Sequence, residues 1–159
     1  MFIKPDYNLK SIYDINLEEL KNKGIKALLF DLDSTLMGSK RGYYTQDTLD
    51  WIDKVRKDFF VGVISNNNNP VYMAKVLACS DFPVVFEAHK PDIKVAENFM
   101  KQYSLKPETT CFVGDRPLTD VMCGKNLGCM TILVDSITAD IEKPVVRFAR
   151  KLERCFIRL

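Results

Sequence analysis

Residues Ile25–Thr35 read IKALLFDLDST, an apolar run that ends in two aspartates one residue apart, a serine and a threonine. The run is too short for a helix. Its continuous rather than alternating apolarity marks a strand buried on both faces, as in a parallel sheet. Four further runs share its form: Phe60–Ile64 (FVGVI), Val84–Phe86 (VVF), Thr110–Val113 (TCFV) and Cys129–Val134 (CMTILV). Helical patterns with start signals lie between them. Asn16 precedes LEEL with Glu19 three residues on, a capping-box spacing, and Thr45 precedes the apolar positions Leu49, Trp51, Ile52 and Val55. Asn69-Pro70 and Lys90-Pro91 each place a proline where a first helical turn accepts it. This alternation predicts an α/β fold with a mostly parallel sheet of about five strands flanked by helices.

The 159 residues, 47% of them hydrophobic, suffice for one core without disulfide or metal staples. Five cysteines, with no CxxC pair, read as buried apolar residues of a reducing compartment rather than a disulfide or zinc framework. The N-terminus lacks the apolar run of a signal peptide, and no 18-residue apolar stretch offers a membrane span. The expectation is a cytoplasmic chain, attached at most to a membrane surface. Its charge is uneven. Residues 143–159 carry a net +5, and the rest of the chain carries −3. We therefore divide the chain into a body, 1–142, and a basic C-terminal helix of the same domain, 143–159.

In parallel α/β sheets, ligands bind beyond the carboxyl ends of the strands. The first predicted strand ends in Asp31 and Asp33. Carboxylates at i and i+2 project to one side of an extended chain, where one can act as a nucleophile and the other carry a proton. The second strand ends in Ser65-Asn66, both able to donate to phosphate oxygens. The third leads to Lys90, a point charge for a phosphoryl group. The fourth ends in Gly114-Asp115, with Asp120 five residues on, and Asp115 with Asp31 offers the oxygen-rich donor set that Mg²⁺ favours. Each of these taken alone is an ordinary strand-end turn or a solvated side chain. Their joint order is not.

The motifs DLDSTL at 31–36, SNN at 65–67, HKP at 89–91 and GDRPLTD at 114–120 resemble the four motifs of haloacid-dehalogenase-type phosphatases, nearly end to end. The resemblance implies a Rossmann-like fold of subfamily IIIA with Mg²⁺ as cofactor. It assigns Asp31 as nucleophile, Asp33 as general acid and base, and Ser65, Asn66 and Lys90 as phosphate-binding. Mg²⁺ would be held by Asp31, the Asp33 carbonyl and Asp115. Thr35, Gly114 and Asp120 would support the site.

Only 24 residues separate Ser65 from Lys90, and one helix with its loop fills the stretch after Asp33, so neither gap has room for a cap domain. An open site suits phosphate carried on something large. In the tail, Val145, Ala149, Leu152, Phe156 and Leu159 fall within about 40° of one helical line, with Arg147, Arg150, Lys151, Arg154 and Arg158 opposite. That pattern fits either a helix docked on the sheet or one lying on an anionic membrane. The N-terminal KSIYDINLEELKNKGIKALLFDLDSTL, together with GDRPLTDV, GKNLGCMTILV and RFARKLER, is similar to the capless phosphatidylglycerophosphate phosphatases of phospholipid biosynthesis. This implies a phosphorylated lipid substrate and a peripheral membrane location. Arg116-Pro117 and Gly38–Tyr44 depart from that family's usual residues. Two other readings stand beside this one: a phosphatase of a soluble sugar phosphate or nucleic-acid end, closed by oligomerisation, and a catalytically inactive membrane-surface module. No aromatic-interleaved basic patch points to nucleic-acid binding.

Overall fold

The computed structural model describes residues 3–138 and 143–157. The elements run β1 (Tyr7–Leu9), α1 (Leu17–Asn22), β2 (Ala27–Phe30), α2 (Gln46–Arg56), β3 (Phe60–Ile64), α3 (Pro70–Cys79), β4 (Val84–Val85), α4 (Lys94–Gln102), β5 (Thr110–Gly114), α5 (Met122–Leu127), β6 (Met130–Val134) and α6 (Pro144–Arg154). The strands form one parallel sheet in the order β1-β6-β5-β2-β3-β4. There are thus six strands rather than the expected five. The extra strand, Tyr-Asn-Leu, is three residues long and lies at the edge beside β6 alone, so its sequence carries no buried apolar run to announce it.

Strand β2 is central and wholly buried. Its alternating side chains feed two cores. Leu28 and Phe30 pack with Leu20, Ile52, Val55 and Val76 from α1, α2 and α3. Leu29 packs on the opposite face with Ala96, Phe99, Met100, Cys123 and Leu127 from α4 and α5. Sheet order reverses at β2, so the loops after β2 and β5 open side by side into a crevice.

The expected caps form at three helices. Asn16, Thr45 and Asn69 each accept a hydrogen bond from the backbone N–H three residues on, and Pro70 occupies the first position of α3. The reciprocal half of the α1 capping box is diverted, because Glu19 accepts instead from the Tyr7 hydroxyl at 2.7 Å. The Lys90-Pro91 expectation is corrected. That peptide is cis and sits in a turn, and α4 begins only at Lys94. Two cysteines are corrected as well: Cys111, Cys123 and Cys129 are buried as expected, but Cys79 and Cys155 are exposed. All five are free thiols.

Helix α6 does not dock on the body by its apolar face, the first of the two expectations for the tail. Arg150, Glu153, Arg154 and Ile157 turn toward the body, while Val145, Phe148 (60% exposed), Leu152 (50%) and Phe156 face outward. The body accepts the charged face because it offers charged partners there, Asp115, Arg116 and Asp135. Arg150 and Arg154 are therefore not on an outer membrane-facing surface. Arg147 and Lys151 remain exposed. Arg158 and Leu159 lie outside the described residues. No helix among the described residues is long and apolar enough to cross a membrane.

Candidate active site

Asp31 follows β2 directly, and the chain then turns sharply. Ser34 takes a left-handed backbone (φ 69°) and donates its N–H to the Met37 carbonyl at 2.8 Å. That turn leaves Thr35 beside the strand end, where its hydroxyl lies 3.2 Å from Asp115 Oδ1 and 3.4 Å from Asp31 Oδ2. After β5, the segment Pro117–Val121 forms a π-helical turn that brings Asp120 back over the strand end. Asp120 Oδ2 accepts the Arg116 backbone N–H at 3.1 Å. A glycine is required beneath it. A Cβ built on Gly114 would lie 2.3 Å from the Asp120 Cβ and 2.4 Å from its Oδ2.

One oxygen each of Asp31, Asp115 and Asp120 lies within 4.8 Å of the others. Lys90 Nζ reaches the same place from the loop after β4, 2.6 Å from Asp31 Oδ1 and 2.8 Å from Asp120 Oδ1. Its side chain is 1% exposed. The resulting field is strong. Burial, then the charges of Asp31 and Asp120, hold the Asp115 carboxyl well above the ordinary carboxylate range, against the pull of Arg150. Burial and Asp31 raise Asp120 to about 6, although Lys90 opposes them. For Lys90, burial works against the charged form. The carboxylates of Asp120 and Asp31 outweigh it and lift the ammonium above its usual value. A buried group of hard oxygen donors carrying excess negative charge suits a small divalent cation, and Mg²⁺ fits this donor set.

The remaining predicted residues divide. Ser65 is buried and accepts the Asn67 N–H at 3.1 Å, which leaves its hydroxyl proton to donate. Asn66 spends its carboxamide on the backbone of Lys90, accepting from its N–H at 2.7 Å and donating to its carbonyl at 3.1 Å. Its side chain therefore braces Lys90 instead of pointing donors at a phosphoryl group. The Asp33 carboxylate is not part of the converging cluster. Its Oδ1 accepts the Tyr72 hydroxyl at 2.5 Å and the Lys40 N–H at 2.8 Å. Burial, followed by the bond to Asp33, raises the Tyr72 pKa, so this phenol stays protonated and donating. Beside it opens a pocket of about 490 Å³ lined by Lys40, Asn67, Asn68, Asn69, Val71, Tyr72 and Lys75.

Two site residues escaped sequence reasoning. Tyr72 sits in the first turn of the helix after Ser65-Asn66, and its proximity to that strand end was the available signal. Arg150 was assigned to the wrong surface; its Nη2 lies 2.6 Å from Asp115 Oδ2.

Residues 87–144 match the family model for HAD-hydrolase-like proteins. The chain is 31% identical over 153 residues to the probable phosphatase YqeG of Bacillus subtilis, covering 96% of this chain and 88% of that protein. It belongs to the haloacid-dehalogenase superfamily. As a capless member of that superfamily, it is a phosphatase, as its motifs predicted. A second relative is the chloroplastic/mitochondrial phosphatidylglycerophosphate phosphatase 1 of Arabidopsis thaliana, 27% identical over 166 residues. That match covers 99% of this chain, which spans about half (48%) of the plant protein. Among solved structures, a haloacid-dehalogenase-family enzyme of Bacteroides thetaiotaomicron, determined as a magnesium complex, shares the fold with a TM-score of 0.59 at 16% identity. The match covers 79% of this chain and 99% of that one.

Proposed function

We propose that this phosphatase removes the terminal phosphate of a phosphorylated lipid, phosphatidylglycerophosphate, to leave phosphatidylglycerol. The observation that carries the phosphomonoesterase chemistry is the convergence of Asp31, Lys90, Asp115 and Asp120 at the carboxyl ends of adjoining strands. An Asp31 carboxylate oxygen attacks phosphorus, and the bond from phosphorus to the ester oxygen breaks. Asp33 protonates the departing oxygen. The Asp33 oxygen that carries this proton is Oδ2, because Tyr72 and Lys40 both bind Oδ1. Asp33 then takes a proton from water, whose oxygen attacks phosphorus, breaks the aspartyl-phosphate bond and frees inorganic phosphate. Lys90 and Ser65 hold the equatorial oxygens throughout. Asp31, Asp115 and the Asp33 carbonyl would hold Mg²⁺, which would supply charge neutralisation there. Asp120 seats Lys90.

Three features support the lipid substrate. The site has no cap, so phosphate on a large carrier has access. The pocket beside Asp33 places Lys40 and Lys75 where a leaving group bearing a second anionic group would lie. The outward apolar stripe of α6, flanked by Arg147 and Lys151, suits a helix resting on an anionic membrane. The name of the plant relative points the same way.

The test is Mg²⁺-dependent phosphate release from phosphatidylglycerophosphate in mixed micelles, compared with p-nitrophenyl phosphate. Efficient release from the lipid, abolished in Asp31→Asn, is expected. Turnover of the soluble ester alone would retain the chemistry and discard the lipid.

A further inference from the structure

We infer that Arg150, through its ion pair with Asp115, competes with Mg²⁺ for that carboxylate and therefore sets the metal affinity of this phosphatase. The inference rests on the metal-dependent reading above. Three carboxylates, Asp31, Asp115 and Asp120, gather around one buried ammonium, Lys90, so that two negative charges remain when all three are ionised. A group of that charge in a low-dielectric interior needs a further cation or bound protons. Arg150 meets part of this need. It reaches in from α6, its side chain only 12% exposed, and sets Nη2 2.6 Å from Asp115 Oδ2, while Asp115 Oδ1 faces Thr35. One Mg²⁺ would cancel both remaining charges. With the guanidinium still in place the cluster would carry an excess positive charge, so the two cations are alternatives at Asp115.

The position of α6 makes the exchange mechanically simple. The helix has other ties to the body. Arg154 donates to the Val134 carbonyl at 2.7 Å and pairs with Asp135 at 3.1 Å, and Glu153 pairs with Arg116. Withdrawal of the Arg150 side chain therefore leaves the helix anchored one turn further on, while its N-terminal half, Pro144–Phe148, is exposed throughout. Metal loading is thus linked to the hold on the half of α6 that bears Val145 and Phe148.

The test measures metal binding by titration calorimetry with Mg²⁺, without substrate, in the wild type, Arg150→Gln and Arg150→Lys. Removing a competing charge-assisted contact of ordinary strength tightens binding about tenfold or more. Arg150→Gln is therefore expected to bind Mg²⁺ about tenfold more tightly, and Arg150→Lys, which keeps the charge, to stay near the wild type. A merely structural arginine would leave affinity unchanged or weaken it in the glutamine variant, and either result overturns the proposal. Absence of binding in both the wild type and Arg150→Gln would overturn the Mg²⁺ reading itself. A second measurement needs no variant. Hydrogen exchange of the α6 amides in the wild type is expected to speed up several-fold on Mg²⁺ saturation, and unchanged or slower exchange overturns the coupling.

Discussion

The Tyr72 hydroxyl donates to Asp33 Oδ1 across 2.5 Å and ties the first turn of α3 to the loop that follows β2. Helix α3 begins just after β3, the strand that delivers Ser65, so this one contact registers the strand end proposed to bind phosphate against the carboxyl proposed to carry the proton. Burial and the bond to Asp33 keep the phenol protonated, so it remains a donor in this contact.

Tyr72→Phe removes that donor and keeps the ring in its core. The expected outcome is a fall in kcat of about tenfold with KM for p-nitrophenyl phosphate little changed, since the roles proposed for Asp33 are proton transfers, including that from the attacking water, and not phosphate binding. The melting temperature drops only by the few degrees that one lost hydrogen bond accounts for. Steady-state kinetics with a thermal melt check both. An unchanged kcat would show that the Tyr72 hydroxyl does not position Asp33 for proton transfer.

Gly114→Ala forces a methyl group into Asp120, where the new Cβ would meet side-chain atoms at 2.3–2.4 Å. Overpacking of this kind costs about 1–3 kcal/mol. It also displaces the carboxylate that seats Lys90. Urea unfolding is expected to show the loss of stability, and phosphate release a fall of about a hundredfold. A variant that unfolds like the wild type would show that the π-helical turn yields freely.

The metal-free protein is expected to lose stability as pH rises. The Asp120 pKa is raised to about 6 and that of Asp115 is also raised, so the folded chain holds protons that the unfolded chain releases near pH 4. Stability therefore falls from about pH 4 through pH 6. Mg²⁺ binds the ionised form and reverses the loss, so added Mg²⁺ raises the melting temperature more at pH 7 than at pH 5. Thermal melts with chelator or Mg²⁺ at both values check the sign. An equal shift at both would show that the carboxyls ionise without cost.

Phe148→Glu combined with Leu152→Glu replaces two outward residues that make no part of the core. Sedimentation with anionic vesicles is expected to show binding reduced by about tenfold or more, because each large apolar side chain contributes about 1.5–3 kcal/mol when buried. Phosphate release from p-nitrophenyl phosphate, measured without lipid, should not change. Undiminished vesicle binding would assign any membrane contact to another surface.

The sheet and most of the site were legible in the chain. IKALLF, FVGVI and CMTILV are continuous apolar runs because strands covered on both faces need apolar side chains on both, and the polar residues closing them mark the carboxyl edge. Tyr7–Leu9 escaped notice because an edge strand with one neighbour is under no such demand. Lys90 and Asp120 were identifiable by type and order, yet their mutual contact depends on a cis turn and a π-helical turn that local patterns do not encode.

The sequence by itself determined which polar residues close the strands at the candidate site, since periodicity and strand-end residues are local consequences of which side chains must be buried and which must stay polar. Only the tertiary structure decided the direction in which α6 faces. An amphipathic helix offers two faces, and its own sequence points the apolar one inward. Here the surface awaiting it is the charged end of the site, where Asp115, Arg116 and Asp135 form ion pairs with Arg150, Glu153 and Arg154. Those partners lie 19 to 37 residues away in the chain. Long-range charge complementarity therefore outweighed the helix's own hydrophobic pattern, and the apolar stripe was left facing outward.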